Sequence, residues 1–313
     1  LGRAARSASF SLGLLSAACG GGGPPPIAPA PALERPSAAI PADLDVAFRI
    51  DLEAARRFFG PAFGGALEIG TVDAKEDPGA RALVSEAFED AETVWIAFRP
   101  GLPARLTDNV LVFRGNYSSF DPRLHESAGF RAAEEIGGGF VLYARPPPAR
   151  RSSPSRIYER LSDWLVFVSE AEVDSAERAI ERRARDARVD PPERGIASFA
   201  ARVEPLLPLL APRFPLVAEA LTSASTVEGS ASADDRGLLA GLAVHFPDAS
   251  SAEAARGHAE TLVAALRGTN GLFGTLAKGT EAAAVGSDLV LRIALDGPTL
   301  ARVVGCLGVG EGC

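Results

Sequence analysis

The side chains able to do chemistry are few and far apart. The chain of 313 residues holds three cysteines and three histidines. His125, His245 and His258 fall in separate segments. No His-x-His, His-Glu-x-x-His or Cys-x-x-Cys spacing sets two metal ligands on one face. Each histidine is therefore read as structural or solvent-facing. No Gly-x-Ser-x-Gly elbow is present, which disfavours an α/β-hydrolase. The acidic pair Glu134-Glu135 sits in a strand pattern, where neighbours point to opposite faces and cannot share a proton. Asp234-Asp235 falls in a turn. Gly308 to Gly312 has the glycine content of a phosphate loop but lacks the Lys-Ser/Thr that completes one. No catalytic residue, cofactor site or metal site is assigned, and the chain is not expected to be an enzyme.

Cysteine chemistry depends on compartment, and the first nineteen residues bear on that. Arg3 and Arg6 precede an apolar run from Phe10 to Leu15, then Ser16-Ala17-Ala18 and Cys19. A basic start, a short apolar stretch and small residues, in that order, make a secretory signal, too short to span a membrane. A cysteine directly after the small residues resembles the lipobox of bacterial lipoproteins. The resemblance covers residues 1–19 only, and it departs from the usual pattern by having Ser16 where that family prefers leucine. It implies removal of residues 1–18, diacylation (palmitate-type chains) of Cys19, and attachment to the bacterial cell envelope, with Gly20 compatible with the outer membrane. Two or more acyl chains hold a protein stably, at about 0.8 kcal/mol per buried CH₂. An ordinary signal peptide cut after Ala18 is the alternative. Leu1 is read as a non-standard start or a trimmed end. In a secreted setting the other two cysteines, Cys306 and Cys313, permit a disulfide across the glycine-rich Leu307–Gly312 loop, worth about 2–3 kcal/mol at best. Free thiols are the alternative.

Residues 19–42 run through Gly20–Gly23, Pro24–Pro26 and an Ala/Pro alternation. Such a composition cannot bury a core, so the stretch is expected to be a disordered tether. The remainder has an ordinary globular composition, 47% hydrophobic and 23% charged, with a formal charge of −8. That charge, and the lack of a basic stripe, argue against a nucleic-acid partner. The Pro/Arg stretch Arg145–Arg151 is the one cationic patch.

Alternation and caps predict an α+β body. Residues 44–50 read as a strand, 52–59 as a helix closed by Gly60-Pro61, and 93–99 and 109–115 as strands. Ser118-x-x-Asp121 signals a helix start. A hairpin (130–136, 140–145) and a strand pair (156–161, 163–169) follow. A helix is then expected behind a Ser169/Glu172 capping box. The second half repeats the order: a strand at 196–203, proline-broken helical pieces at 205–221, strands at 223–233 and 237–246, and a helix behind a Ser250/Glu253 box. A small helix at 272–278, a hairpin at 281–295 and a closing helix from Pro298 to Leu307 complete it. The reading is two related β-α-β-β-α-β-β-α units, 43–190 with an extra hairpin and 191–313. Their mostly antiparallel sheet is expected to carry helices on one face. Whether the units share one sheet is left open.

The resulting expectation is a lipid-anchored envelope protein acting as a non-enzymatic interaction or scaffold module. Its partners would be the membrane, through the anchor, and another envelope protein. A binder or carrier of an apolar small ligand, held between the sheet and the Leu206–Leu221 pieces, is the alternative. A hydrolase with an unrecognised site is the second alternative.

Overall fold

The computed structural model describes residues 35–60, 77–100, 108–117, 120, 122–136, 139–148, 153–160, 163–180, 189–234, 236–269 and 271–299. The strands are β1 (Val46–Asp51), β2 (Ala91–Phe98), β3 (Asn109–Gly115), β4 (Arg131–Ile136), β5 (Phe140–Ala144), β6 (Pro154–Arg160) and β7 (Trp164–Ser169), then β8 (Ala197–Arg202), β9 (Thr226–Asp234), β10 (Gly237–His245), β11 (Thr280–Val285) and β12 (Asp288–Asp296). They form one twelve-stranded sheet in the order β11-β12-β10-β9-β8-β1-β2-β3-β7-β6-β5-β4. Every neighbouring pair is antiparallel. The α+β class and the antiparallel sheet are as the sequence led us to expect. The open question of one sheet or two is settled by β1, which pairs with β2 along one edge and with β8 along the other.

The helices are α1 (Leu52–Phe59), α2 (Pro78–Asp90), α3 (Pro122–Ser127), α4 (Val173–Ile180), α5 (Leu207–Leu210), α6 (Pro215–Ala220), α7 (Ala249–Arg267) and α8 (Leu272–Lys278). Asp51 caps α1 by accepting from the Ala54 N–H at 2.8 Å, and Gly60, at φ +93°, ends it. Asp77 caps α2 through the Ala80 N–H, with Pro78 in the first turn, where its missing N–H costs nothing. Neither expected capping box forms. The Ser169 hydroxyl instead accepts from the Asn109 N–H, and Glu172 turns to Arg99. The cap of α7 is Asp248, which accepts from the Ser251 N–H, while Glu253 pairs with Arg256. Ser118-x-x-Asp121, the start signal ahead of α3, and the closing helix past Thr299 lie outside the described residues.

The expectation of helices on one face holds for only half of the sheet. On one face, here the front, α1, α2 and α3 cover Val94, Ile96, Leu111, Phe113, Leu165 and Phe167. On the back, α4 and residues 36–44 cover the alternate positions Trp95, Ala97, Val110, Val112, Trp164, Val166 and Val168. Strands buried on both faces must be apolar at every position, which is why these read as continuous hydrophobic runs. The expected tether therefore ends early. Pro36–Ala39 is a 3₁₀ turn, and Ala39, Ile40 and Leu44 are fully buried in the back-face core. Residues 36–42 therefore belong to the folded body rather than to the tether, with Ile40 and Leu44 supplying apolar cover beside α4.

The second half, β8–β12, alternates on its front face but carries both polar and apolar residues behind, among them the exposed Leu239 and Val285. Its front-facing residues include Val227, Leu242, Val244, Leu289 and Leu291, under α5, α6, α7 and α8. Its back-facing residues include Glu228, Ser230, Ser232 and Arg292, none of them buried.

Two charge networks close the first half. Arg99 grips the buried Glu172 through both carboxylate oxygens, at 2.7 and 3.1 Å, and reaches Asp43 at 2.7 Å. Burial pushes the Glu172 carboxyl up, and Arg99 offsets part of that. Arg145 pairs with Asp77 and also donates to the carbonyls of Ala128 and Pro154. Burial opposes ionisation of Asp77, but the Arg145 guanidinium, the Ala80 N–H and the Ser153 hydroxyl together outweigh it and hold the carboxyl below its ordinary range.

Arg99→Leu should lower the unfolding free energy by about 2 kcal/mol, since Glu172 keeps its burial and loses its cation. Arg99→Leu/Glu172→Leu should regain part of that, and urea denaturation at pH 7 measures both. For Asp77 the folded carboxyl lies below its unfolded value. Its contribution is therefore present above the ordinary carboxylate range and is lost as pH falls through the folded value. Asp77→Asn should melt lower than the parent at pH 7 and converge with it at about pH 3 or below.

Candidate functional site

The front face of β8–β10 is uniformly apolar, yet only partly covered. Facing forward are Ala197, Phe199 and Ala201 from β8, Val227, Gly229 and Ala231 from β9, and Leu238, Ala240, Leu242 and Val244 from β10, by the pairing registers. No charged residue stands among them. Helix α7 packs over β11 and β12, and α8 over β12, at the outer edge. Helix α1 packs over β1 and β2 on the other side. Between them Phe199, Ala231, Leu238, Ala240 and Leu242 stay half-buried, and Phe48 of β1 is 39% exposed.

The result is a trough with an aromatic rim. Phe48 stacks on Phe98 of β2, ring centroids 6.1 Å apart and 11° from parallel, and leans on Phe199 at 5.8 Å. Phe199 lies over Gly229, its partner on β9; a Cβ at Gly229 would fall 2.5 Å from the ring. Glycine there lets the ring lie flat on the sheet. One end of the trough closes where Phe58 of α1 and Leu276 of α8 meet Leu238, Ile293 and Leu295. The other end closes at Leu206, Leu207 and Leu221 against Val244 and Phe246. Beside the first end, at the β9–β10 turn, is an open recess of about 590 Å³ lined by Asp234, Arg236, Leu239 and Asp296 among others.

Residues 206–221 do form short pieces at the trough, as the prolines predicted. They pack lightly: Ala218 is the one residue of α5 and α6 that is buried, while Phe214 and Leu216 are 50% and 59% exposed.

The structure keeps the three histidines apart. His125, on α3, is buried, with Nε2 3.3 Å from Glu159 Oε2 of β6. His245 stands on the back face of β10, Nδ1 2.9 Å from Asp288 Oδ1, with Thr226 opposite on β9. His258 is exposed on α7. The hydrolase alternative needed a histidine, a carboxylate and a nucleophile in one cleft; among the described residues the half-exposed His245–Asp288 dyad lies on an open sheet face. Among the described residues no three His, Cys, Asp or Glu side chains are grouped to hold a metal ion. Glu134 and Glu135 are exposed on edge strand β4. Arg145 is not the free cation expected of the Pro/Arg patch, since its side chain is 9% exposed and committed to Asp77. Arg150 and Arg151 lie outside the described residues, as do Cys19, Cys306 and Cys313. Among the described residues no helix is long and apolar enough to cross a membrane.

Sequence reasoning passed over Phe48, Phe98 and Phe199, which are scattered along the chain and meet only because β1 joins β2 to β8. It also passed over Glu159, whose signal was a carboxylate inside an otherwise inward-facing strand position.

No protein-family model matches the chain, and no curated protein sequence matches it. Among solved structures it is similar to TP0453. Crystal form I aligns with 11% identity and a TM-score of 0.45, over 87% of this chain and 97% of that one. Form IV aligns with 13% identity and a TM-score of 0.46, over 86% and 96%. Likeness at this level carries no argument about function.

Proposed function

We propose that the protein is a lipid-anchored envelope protein that binds an apolar small ligand in the front-face trough. The observation that carries the ligand reading is the unsealed apolar floor: Phe48, Phe199, Ala240 and Leu242 face one space, with no charge among them. The backbone polar groups of the floor are satisfied within the sheet ladder. The floor therefore selects by shape and apolarity, which suits an alkyl or acyl chain better than a polar metabolite. Of the two non-enzymatic roles expected from sequence, carrier thus moves ahead of scaffold. The scaffold role keeps one supporting feature, the open back face of β8–β12, where polar residues stand beside the exposed Leu239 and Val285.

The anchor rests on the lipobox-like Ser16-Ala17-Ala18-Cys19. With the body starting at Pro36, the linker from Gly20 to Arg35 would reach on the order of 50 Å if fully extended. The duplication also belongs to this proposal. Outwards from the β1/β8 seam the strand orders are β1-β2-β3-β7-β6 and β8-β9-β10-β12-β11. Matching orders support two related units, with β4 and β5 as the added hairpin of the first. The two units then differ in use: the first is packed on both faces, the second keeps a ligand face.

The test is titration of the delipidated protein with a dansyl-labelled fatty acid. Saturable one-to-one binding is expected. Phe48→Lys, which sets a charge at the rim, and Ala240→Phe, which fills the floor, should each weaken it about tenfold or more with unchanged urea unfolding. Ser230→Lys on the back face should leave it unchanged. Absence of binding, or binding indifferent to the two trough variants, would overturn the carrier reading.

A further inference from the structure

The back face of β8–β12 carries an apolar surface that the trough does not use. The helices packed on β11 and β12, α7 and α8, both lie in front. Behind, Leu239 of β10 is 58% exposed, with Ala294 of β12 on one side and Ser232 of β9 on the other. Gly241 and Ala243 follow on the same face of β10, and Val290 stands beside Ala243. Such small side chains let another backbone approach the sheet closely. The open recess of about 590 Å³ belongs to this face, where Ser232, Asp234, Leu239, Ala294 and Asp296 line it.

The chain passes this recess as it leaves β12. Asp296 stands on the back face, and its Oδ1 accepts from the Thr299 N–H at 2.7 Å. The Gly297 N–H donates to the Arg236 carbonyl at 3.1 Å. Together these bonds turn residues 297–299 behind the sheet and toward β10. An aspartate accepting from the amide three residues on, with Pro298 between, is the chemistry of a helix start. Past Thr299 the sequence sets Leu300, Val303, Val304 and Leu307 at the spacing of one helix face. We propose that residues 297–307 form a helix seated on the back of β9–β12, with that apolar stripe over Leu239, Gly241 and Ala243.

The first half shows the same arrangement filled. Val173, at the head of α4, comes four residues after β7 ends at Ser169, and Leu300 comes four after β12 ends at Asp296. Helix α4 turns Val173, Ala176 and Ile180 to the back-face core, and Leu300, Val303 and Leu307 repeat that spacing. This correspondence rests on the duplication proposed above; the recess, the cap and the stripe do not. From 300 to 307 a helix advances about 10 Å, whereas the strand from Leu239 to His245 spans about 20 Å. The helix therefore covers Leu239 and stops short of His245, Asp288 and Val285. A second copy or another protein would have to compete with a segment already tethered beside the recess, whose effective concentration is far higher. With the seat filled, the back face loses most of the surface that a scaffold would offer.

Hydrogen exchange of amides 303–307, referred to β7, reads the seat directly. The parent should protect them, and Leu239→Asp should lower that protection about tenfold or more while β7 is unchanged. Leu239→Ser serves in its place if the acid variant fails to fold. Val285→Asp, beyond the end of the helix, should leave the protection as in the parent. Urea unfolding gives an independent reading. Leu239→Asp and a chain ending at Thr299 should each lower the midpoint, and the two together should add little, because both remove one contact. None of these readouts involves the trough, so their failure leaves the fatty-acid titration to stand or fall alone. Unprotected amides in the parent, or protection indifferent to Leu239→Asp, would overturn the seat. Protection that rises with protein concentration between about 1 and 100 μM would assign the surface to a second copy instead.

Discussion

Strand β1 is hydrogen-bonded along both edges, Val46–Asp51 to β2 and Val46–Ile50 to β8. It is the first strand among the described residues and lies at the middle of the sheet. Everything that distinguishes the architecture depends on that placement. Without it the chain would make a seven-stranded layer and a five-stranded layer, each with a raw inner edge. With it, those edges annul one another. The aromatic rim is a direct consequence, because Phe48 on β1 stands opposite Phe199 on β8 and diagonally across from Phe98 on β2.

A single sheet imposes one solvent problem on two unlike halves. The first half solves it with three layers: helices in front, α4 and the 36–44 segment behind. The second half is two-layered. Its back face mixes Glu228, Ser230, Ser232 and Arg292 with the exposed Leu239 and Val285, and its front face is apolar from β8 to β10. A front face built for cover but covered only at its outer edge and its ends is a different condition from an exposed leucine, which is commonplace. Contiguous apolar surface of this kind marks a binding site more often than a folding defect.

Much of this was legible before any coordinates. The helices Leu52–Phe59 and Leu272–Lys278 were placed to the residue, the first by the closing Gly60-Pro61, which acts locally. Alternation placed the hairpins for the same reason. Two-sided burial was also written in the chain, in Trp164–Val168 and Val94–Ala97, where no polar residue interrupts the run. Those runs speak against a single covered face, and the one-face expectation gave them too little weight. The capping boxes failed through competition: Glu172 was taken by Arg99, a partner distant in sequence that no local rule can see. The tether ran too long because composition is averaged over a window, while Ile40 and Leu44 act as individual side chains that complete a core.

The candidate site was only half legible, for a physical reason. Leu206–Leu221 announced itself as apolar and proline-broken, and those features are local. The floor beneath it is assembled from β1, β8, β9 and β10 through strand pairing, and pairing across the seam is a long-range event with no local signature. The same holds for His125 and Glu159. A histidine alone on a short helix and a glutamate in a strand each look like surface residues. Their burial becomes apparent only when register turns Glu159 to the front, beside Leu165 and Val141, and α3 folds over it. A buried acid that keeps a histidine within 3.3 Å is a costly arrangement for packing alone, because apolar residues of similar volume would fill the space without desolvating two ionisable groups.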